Sequence, residues 1–193
     1  MLLTGCGAPP PTHYYTLQVS PPPPASDATT RFSLEVGPFR APAALRDDRI
    51  VYYESPTQLN FYQQHRWSDD PSQLMALVVM HWLEHSRCFV RVQSTDSRAL
   101  TDYVLKGRIL NLEEVDYAGG AKARVGLALS LVRSRDRKTV WSATRQAESI
   151  VQEKSVASVV GALDAATRQL LDELLPGLVA QVESDSKESA TSK

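Results

Sequence analysis

The spacing that points most directly to chemistry is His81-Trp82-Leu83-Glu84-His85, an H-x-x-E-H pattern. On a helix, residues four apart share a face, so two imidazoles would meet one Zn²⁺ while Glu84 served as general base, as in the inverted zinc-protease motif. Three features weigh against it. A third protein ligand has no motif of its own, although Glu148 and Glu153 are available. His81 falls between the apolar positions Val78 and Trp82. Glu84 and His85 stand at the helix end, where solvated polar groups are ordinary and a histidine complements the C-terminal dipole. The expectation is solvated or satisfied histidines at 81 and 85, no metal and no cofactor. Nucleophilic catalysis has less support. The chain carries no G-x-S-x-G elbow, and Gly119-Gly120 lacks the lysine and serine that follow in a phosphate loop. No enzyme is expected.

Two other groups of residues carry chemistry of a different kind. Leu3-Thr4-Gly5-Cys6 has the form of a lipobox, in which the cysteine becomes a lipidated N-terminus. A secretory signal needs a basic segment and roughly 7–15 apolar residues. Residues 1–5 are therefore read as the remnant of a longer signal, and the chain as it stands is expected to remain soluble and unlipidated. Cys88, next to Phe89-Val90, is read as a small buried hydrophobe. The aromatic run Tyr52-Tyr53, Phe61-Tyr62 and Arg66-Trp67 supports two readings. One is cross-strand packing within a hairpin. The other is a partly exposed edge that docks a protein partner through Tyr52, Tyr62, Arg66 and Trp67.

Bulk properties narrow the classes. The 193 residues suit one domain, and 42% apolar with 22% charged residues and a net charge of −1 supplies no basic field for nucleic acid. The charged stretch 133–138 contains Asp136 and reads as a solvated turn. No apolar run reaches the 18 residues of a membrane span. Residues 6–30, with two proline clusters around a short strand-like insert at 14–17, read as an extended lipidated linker, a spacer of about 3.1 Å per residue. Residues 31–183 read as a single globular domain, and 184–193 as a disordered tail.

The positioning elements follow from periodicity. Phe32, Leu34 and Val36 alternate; residues 50–54 and 59–64 form a hairpin around residues 55–58. Asp70, Pro71 and Gln73 mark a helix start, with Leu74, Leu77, Val78 and Trp82 on its apolar face, widened by Met75, Val79 and Leu83. Strands are predicted at 87–92, 101–115, 125–131 and 139–151. A final amphipathic helix starts at Ser155 and is expected to end or kink at Pro176. Strands, helix, strands, helix imply an α/β chain of α+β character, a mixed sheet with two main helices packed on it.

The order Leu3-Thr4-Gly5-Cys6, Tyr14-Tyr15-Thr16-Leu17, Arg49-Ile50-Val51-Tyr52, Arg66-Trp67 and Asp102-Tyr103-Val104-Leu105 resembles the ABC-type transport auxiliary lipoproteins, the PqiC-like group. The resemblance implies an anticodon-binding-domain-like fold and a non-catalytic outer-membrane lipoprotein facing the periplasm. It implies an MCE-type ABC system that moves lipids as the setting, with the MCE-domain protein as partner, acyl chains on Cys6, and self-association into a homo-oligomer. A carrier with its own acyl-chain cleft is the alternative. An apolar pocket large enough for a chain would favour the carrier, and a packed core with an aromatic edge would favour docking.

Overall fold

The structure, a computed structural model, describes residues 10–23, 30–97, 99–117 and 119–191. Eight strands form one mixed sheet: β1 (His13–Tyr15), β2 (Thr30–Val36), β3 (Arg49–Ser55), β4 (Gln58–Trp67), β5 (Phe89–Ser94), β6 (Tyr103–Val115), β7 (Lys122–Arg133) and β8 (Thr139–Ile150). Among the described residues two α-helices, α1 (Pro71–Ser86) and α2 (Val156–Thr191), accompany the sheet. This is the α+β architecture expected from the order of elements.

Strand β6 organises the sheet. One edge pairs along its whole length with β7, which continues antiparallel into β8. The other edge is divided: Tyr103, Val104 and Leu105 take β2 in parallel, whereas Glu113, Glu114 and Val115 take β3 in parallel. Beyond β2 lies β5; beyond β3 lie β4 and then β1. Leu105, Ile109, Leu112, Val125, Leu127, Leu129 and Leu131 are buried on the face that meets the helices. The opposite face carries Val104, Lys106, Arg108 and Leu110, as alternation requires.

Helix α1 begins as its residues dictate: Asp70 accepts from the amides of Ser72 and Gln73, and Pro71 opens the first turn. Its buried side is Leu74, Met75, Val79, Trp82 and Leu83. Leu77 instead is 44% exposed. The long apolar girth is covered from two directions, because residues 16–23 run beside the helix, where Leu17 and Pro21 line a groove with Val78 and Trp82.

Two expected boundaries move. The proline-rich segment is not a free spacer up to residue 30: β1 pairs with β4, Leu17 and Pro22 are buried, and the Gln18 amide donates to Asp164 Oδ1 at 2.9 Å. Helix α2 neither stops at Pro176 nor yields to a tail at 184. Pro176 faces solvent, so the carbonyl that it leaves unpaired stays accessible to water, while Leu178 and Val182 continue the buried stripe. Asp185, 4% exposed, accepts from the Tyr103 hydroxyl at 2.8 Å and pairs with Arg133. An Asp placed one turn past the last apolar residue reads as tail in a sequence; here a buried phenol and guanidinium hold it.

Candidate functional site

The hairpin β3–β4 places Tyr52 and Tyr62 side by side, with ring centroids 4.6 Å apart and planes tilted by 38°. Register sets this contact, since Tyr52 opposes Asn60, two residues from Tyr62, on the same strand face. Both rings are half-buried. Tyr52 also lies level with Glu114 of β6, and the Tyr62 hydroxyl donates to Glu114 Oε2 at 2.6 Å. Burial, reinforced by Glu114, pushes the Tyr62 phenol well above its ordinary range. Burial likewise raises the Glu114 carboxyl, against the lowering effect of the Tyr62 bond. Burial raises Tyr52 too, with Glu54 adding to it.

The aromatic contact continues outward to the sheet edge. Tyr62 meets His65 edge-on at 5.8 Å, and His65 stacks on His13 of β1 at 5.2 Å with planes 17° apart. Tyr15 lies 5.6 Å from the same imidazole, and its hydroxyl shares a 2.9 Å hydrogen bond with His65 Nδ1. Burial lowers the His65 pKa, and the neighbouring His13 lowers it further. The result is a ladder Tyr52–Tyr62–His65–His13, half-buried at its first three rings and ending at the exposed His13 of a three-residue edge strand.

The other sequence-derived contact residues behave differently. Arg66 is partly exposed, but its guanidinium pairs with Asp48. Trp67 is 3% exposed, and its amide donates to the Asp48 carbonyl at 2.6 Å. Its ring belongs to the core, which removes it from any docking surface. Nearby, Arg49 grips Asp47 with two bonds of 2.8 Å and lies over Phe61 at 4.4 Å. Those bonds hold the Asp47 carboxyl well below the usual carboxylate range. Arg49 and Arg66 therefore brace the hairpin base against residues 47–48.

The histidine pair of α1 lines the groove beside residues 17–21 and faces solvent. His81 and His85 are both exposed, and His85 Nδ1 donates to the His81 carbonyl at 2.7 Å, so that nitrogen serves the helix end. Glu148, one of the available third ligands, pairs with Arg124 and Lys122 on the far strands. Among the described residues no three His, Cys, Asp or Glu side chains come together in a way that would hold a metal. Cys88 is buried, with Sγ directed at the Ser86 carbonyl. Cys6 lies outside the described residues.

His13, His65 and Glu114 were not singled out by sequence, and Tyr15 only as part of the strand-like insert at 14–17. Tyr62 and His65 are visible together in Phe61-Tyr62-Gln63-Gln64-His65, but their meeting with His13 depends on a parallel pairing across 52 residues, and with Glu114 on a strand 52 residues away.

A family model described as the ABC-type transport auxiliary lipoprotein component matches residues 15–174. No curated protein matches the sequence. Among solved structures, a protein from Xanthomonas campestris is similar with a TM-score of 0.80 at 21% identity, over 91% of this chain and 99% of its own. An uncharacterized protein is similar with a TM-score of 0.70 at 15% identity, over 88% and 99%. A hypothetical protein from Chlamydia trachomatis reaches 0.53 at 8% identity, over 79% and 98%. At such identities the likeness is one of fold.

Proposed function

The chain belongs to the ABC-type transport auxiliary lipoprotein family, and from that premise we propose that it is a lipid-anchored, non-catalytic accessory of an MCE-type system that moves lipids across the periplasm. In this reading Cys6 carries acyl chains that hold the protein at the outer membrane. Several chains at about 0.8 kcal/mol per buried CH₂ suffice for stable anchoring. The docking surface for the MCE-domain protein is the ladder on β3, β4 and β1, with Tyr52 and Tyr62 as principal contacts. Assembly of several copies around that partner belongs to the same reading.

The observation that carries the docking role is the half-buried aromatic ladder at a sheet edge. Its rings are large, preorganised by Glu114 and by one another, and incompletely covered. The anchor lies close by: His13 stands seven residues after Cys6, so the edge sits at most about 25 Å of chain from the lipidated position. The carrier alternative has less behind it. The apolar cleft between the helices and the sheet, lined by Val79, Trp82, Leu129, Trp141 and Leu174, holds about 10 Å³, space for one water and not for an acyl chain.

Co-purification with an MCE-domain protein tests the reading. Tyr52→Ala combined with Tyr62→Ala is expected to abolish capture while the fold persists, as judged by circular dichroism. Capture that survives this double change moves docking to another surface. Expression behind a complete lipoprotein signal is expected to place the protein in the membrane fraction and Cys6→Ser to release it; unchanged fractionation would exclude the anchor.

A further inference from the structure

On the sheet face away from the helices, a half-open groove of about 610 Å³ lies where β6 changes partners. We propose that this groove is a binding site for a phosphate-bearing anion, a lipid head group or a soluble phosphate compound. Three cations line it: Arg40, Lys106 and Arg108. Arg40 and Arg108 are paired across the sheet as direct neighbours, and Lys106 shares the Arg108 face two residues away. Like charges directly opposite destabilise a sheet. None of the three side chains makes an internal hydrogen bond or ion pair among the described residues, although most other arginines of the sheet do. Glu35 is the carboxylate in the lining, one negative charge against three positive.

The arrangement is fixed by the backbone. Arg40 donates its amide to the Gly107 carbonyl at 3.0 Å and accepts from the Ile109 amide at 2.8 Å, so a single residue is clamped against β6. Its neighbour Phe39 is buried on the other side of the sheet, in the space over Gly107, where a Cβ would come within 2.3 Å of the Phe39 ring. Phe39 in and Arg40 out is ordinary alternation, but it needs a glycine at 107. The fold thus spends a glycine in the middle of its central strand to set one arginine beside another. A pattern that breaks a local charge rule without internal compensation points to an external ligand. Two guanidinium forks and an ammonium suit phosphate oxygens, which accept paired bonds from arginine. The groove volume falls in the range of small-ligand sites, roughly 300–1,000 Å³, and its walls include the hydroxyl of Ser130. This inference needs neither the docking partner nor the anchor.

Titrating the isotope-labelled full chain with inorganic phosphate, read by amide chemical shifts, tests it. Saturable shifts confined to Arg40, Gly107, Arg108 and their neighbours are expected. Arg40→Gln with Arg108→Gln is expected to weaken binding roughly tenfold per arginine removed. Lys106→Gln alone is expected to weaken it less and serves if the double variant folds poorly. Arg145→Gln, which removes an exposed cation from β8, is expected to change nothing. Flotation with vesicles of phosphatidylcholine plus phosphatidylglycerol, against phosphatidylcholine alone, separates the sources. Anionic-vesicle binding that Arg108→Gln removes identifies a lipid head group; saturation by phosphate without flotation identifies a soluble compound. Shifts spread over all surface cations, or no saturation, overturn the proposal. So does an oligoglutamate peptide that saturates the same amides at lower concentration than phosphate, which assigns the groove to an acidic protein segment.

Discussion

Two parts of the same sheet are held together in different ways. In β6, β7 and β8 each strand pairs with the next one in the chain, and β6 and β7 turn buried Leu, Ile and Val toward the helices. In β1, β4 and β3 a local hairpin is joined to its neighbours by parallel pairings with distant parts of the chain, β1 on one side and β6 on the other. The contacts there are aromatic rings, histidines, buried carboxyls and ion pairs at partial exposure. Apolar burial is non-directional and scales with area. The first part is therefore firm and tolerant of its surroundings. The second depends on geometry and on charge state, and it leaves part of its aromatic surface uncovered.

Four changes probe this contrast, in decreasing order of effect. Asp185→Ala leaves Arg133 and Tyr103 without their buried acceptor and is expected to cost about 3–5 kcal/mol in chemical denaturation. A cost under 1 kcal/mol would mean that the end of α2 adds nothing to the firm part. Leu127→Ala, at a fully buried position, is expected to cost about 2–5 kcal/mol. If it were milder than any single change in the aromatic ladder, the contrast would be inverted.

Asp164→Asn tests the seam where the N-terminal segment meets α2. Burial pushes this carboxyl up to about 6, with the Gln18 amide bond offsetting only part of the effect. The unfolded chain has the ordinary value of 3.8. Between 3.8 and about 6 the folded protein holds more protons than the unfolded chain, so stability falls as pH rises through that window. Asn keeps an oxygen for Gln18. It is expected to remove the slope and raise stability at neutral pH by about 1–3 kcal/mol, read from urea midpoints on either side of the window.

The smallest effect is expected at the edge. His13→Ala removes one ring stack, worth about 0.5–1.5 kcal/mol, and should speed hydrogen exchange at the Ser68 amide, which donates to the Tyr15 carbonyl, without moving the global midpoint. His65 works in the opposite sense to Asp164. Its lowered pKa means that the unfolded chain binds the proton more readily, so the ladder loses stability as pH falls below the ordinary 6.5. His13→Ala removes one contributor to that lowering and is expected to soften the acid-side loss.

The same contrast explains what the chain disclosed before folding. The alternation at Val125, Leu127, Leu129 and Leu131, the hairpin turns, and the Asp70-Pro71 helix start are local patterns, and each appears where its spacing places it. Leu77 misled because an apolar girth has no unique centre until something packs on it, and here residues 16–23 take one side. Trp67 misled because aromatic rings read alike whether they end up in a core or at a rim. The prolines at 21–23 read as spacer because nothing in their composition announces a helix to lie against. Of the aromatic ladder, Tyr52 and Tyr62 were legible; His13 and Glu114 were not, since only the parallel register brings them to it, nor was His65, whose ring gains its place from that pairing.

The divided edge of β6 has a mechanical side. A pull applied ahead of β1 loads β4 and β3, which meet the central strand at residues 113–115, and the Gln18–Asp164 bond to α2. Strand β2, with β5 beyond it, pairs with the central strand at residues 103–105, apart from that line. Tension from whatever holds the N-terminus would thus strain one branch of the sheet and leave its sibling slack.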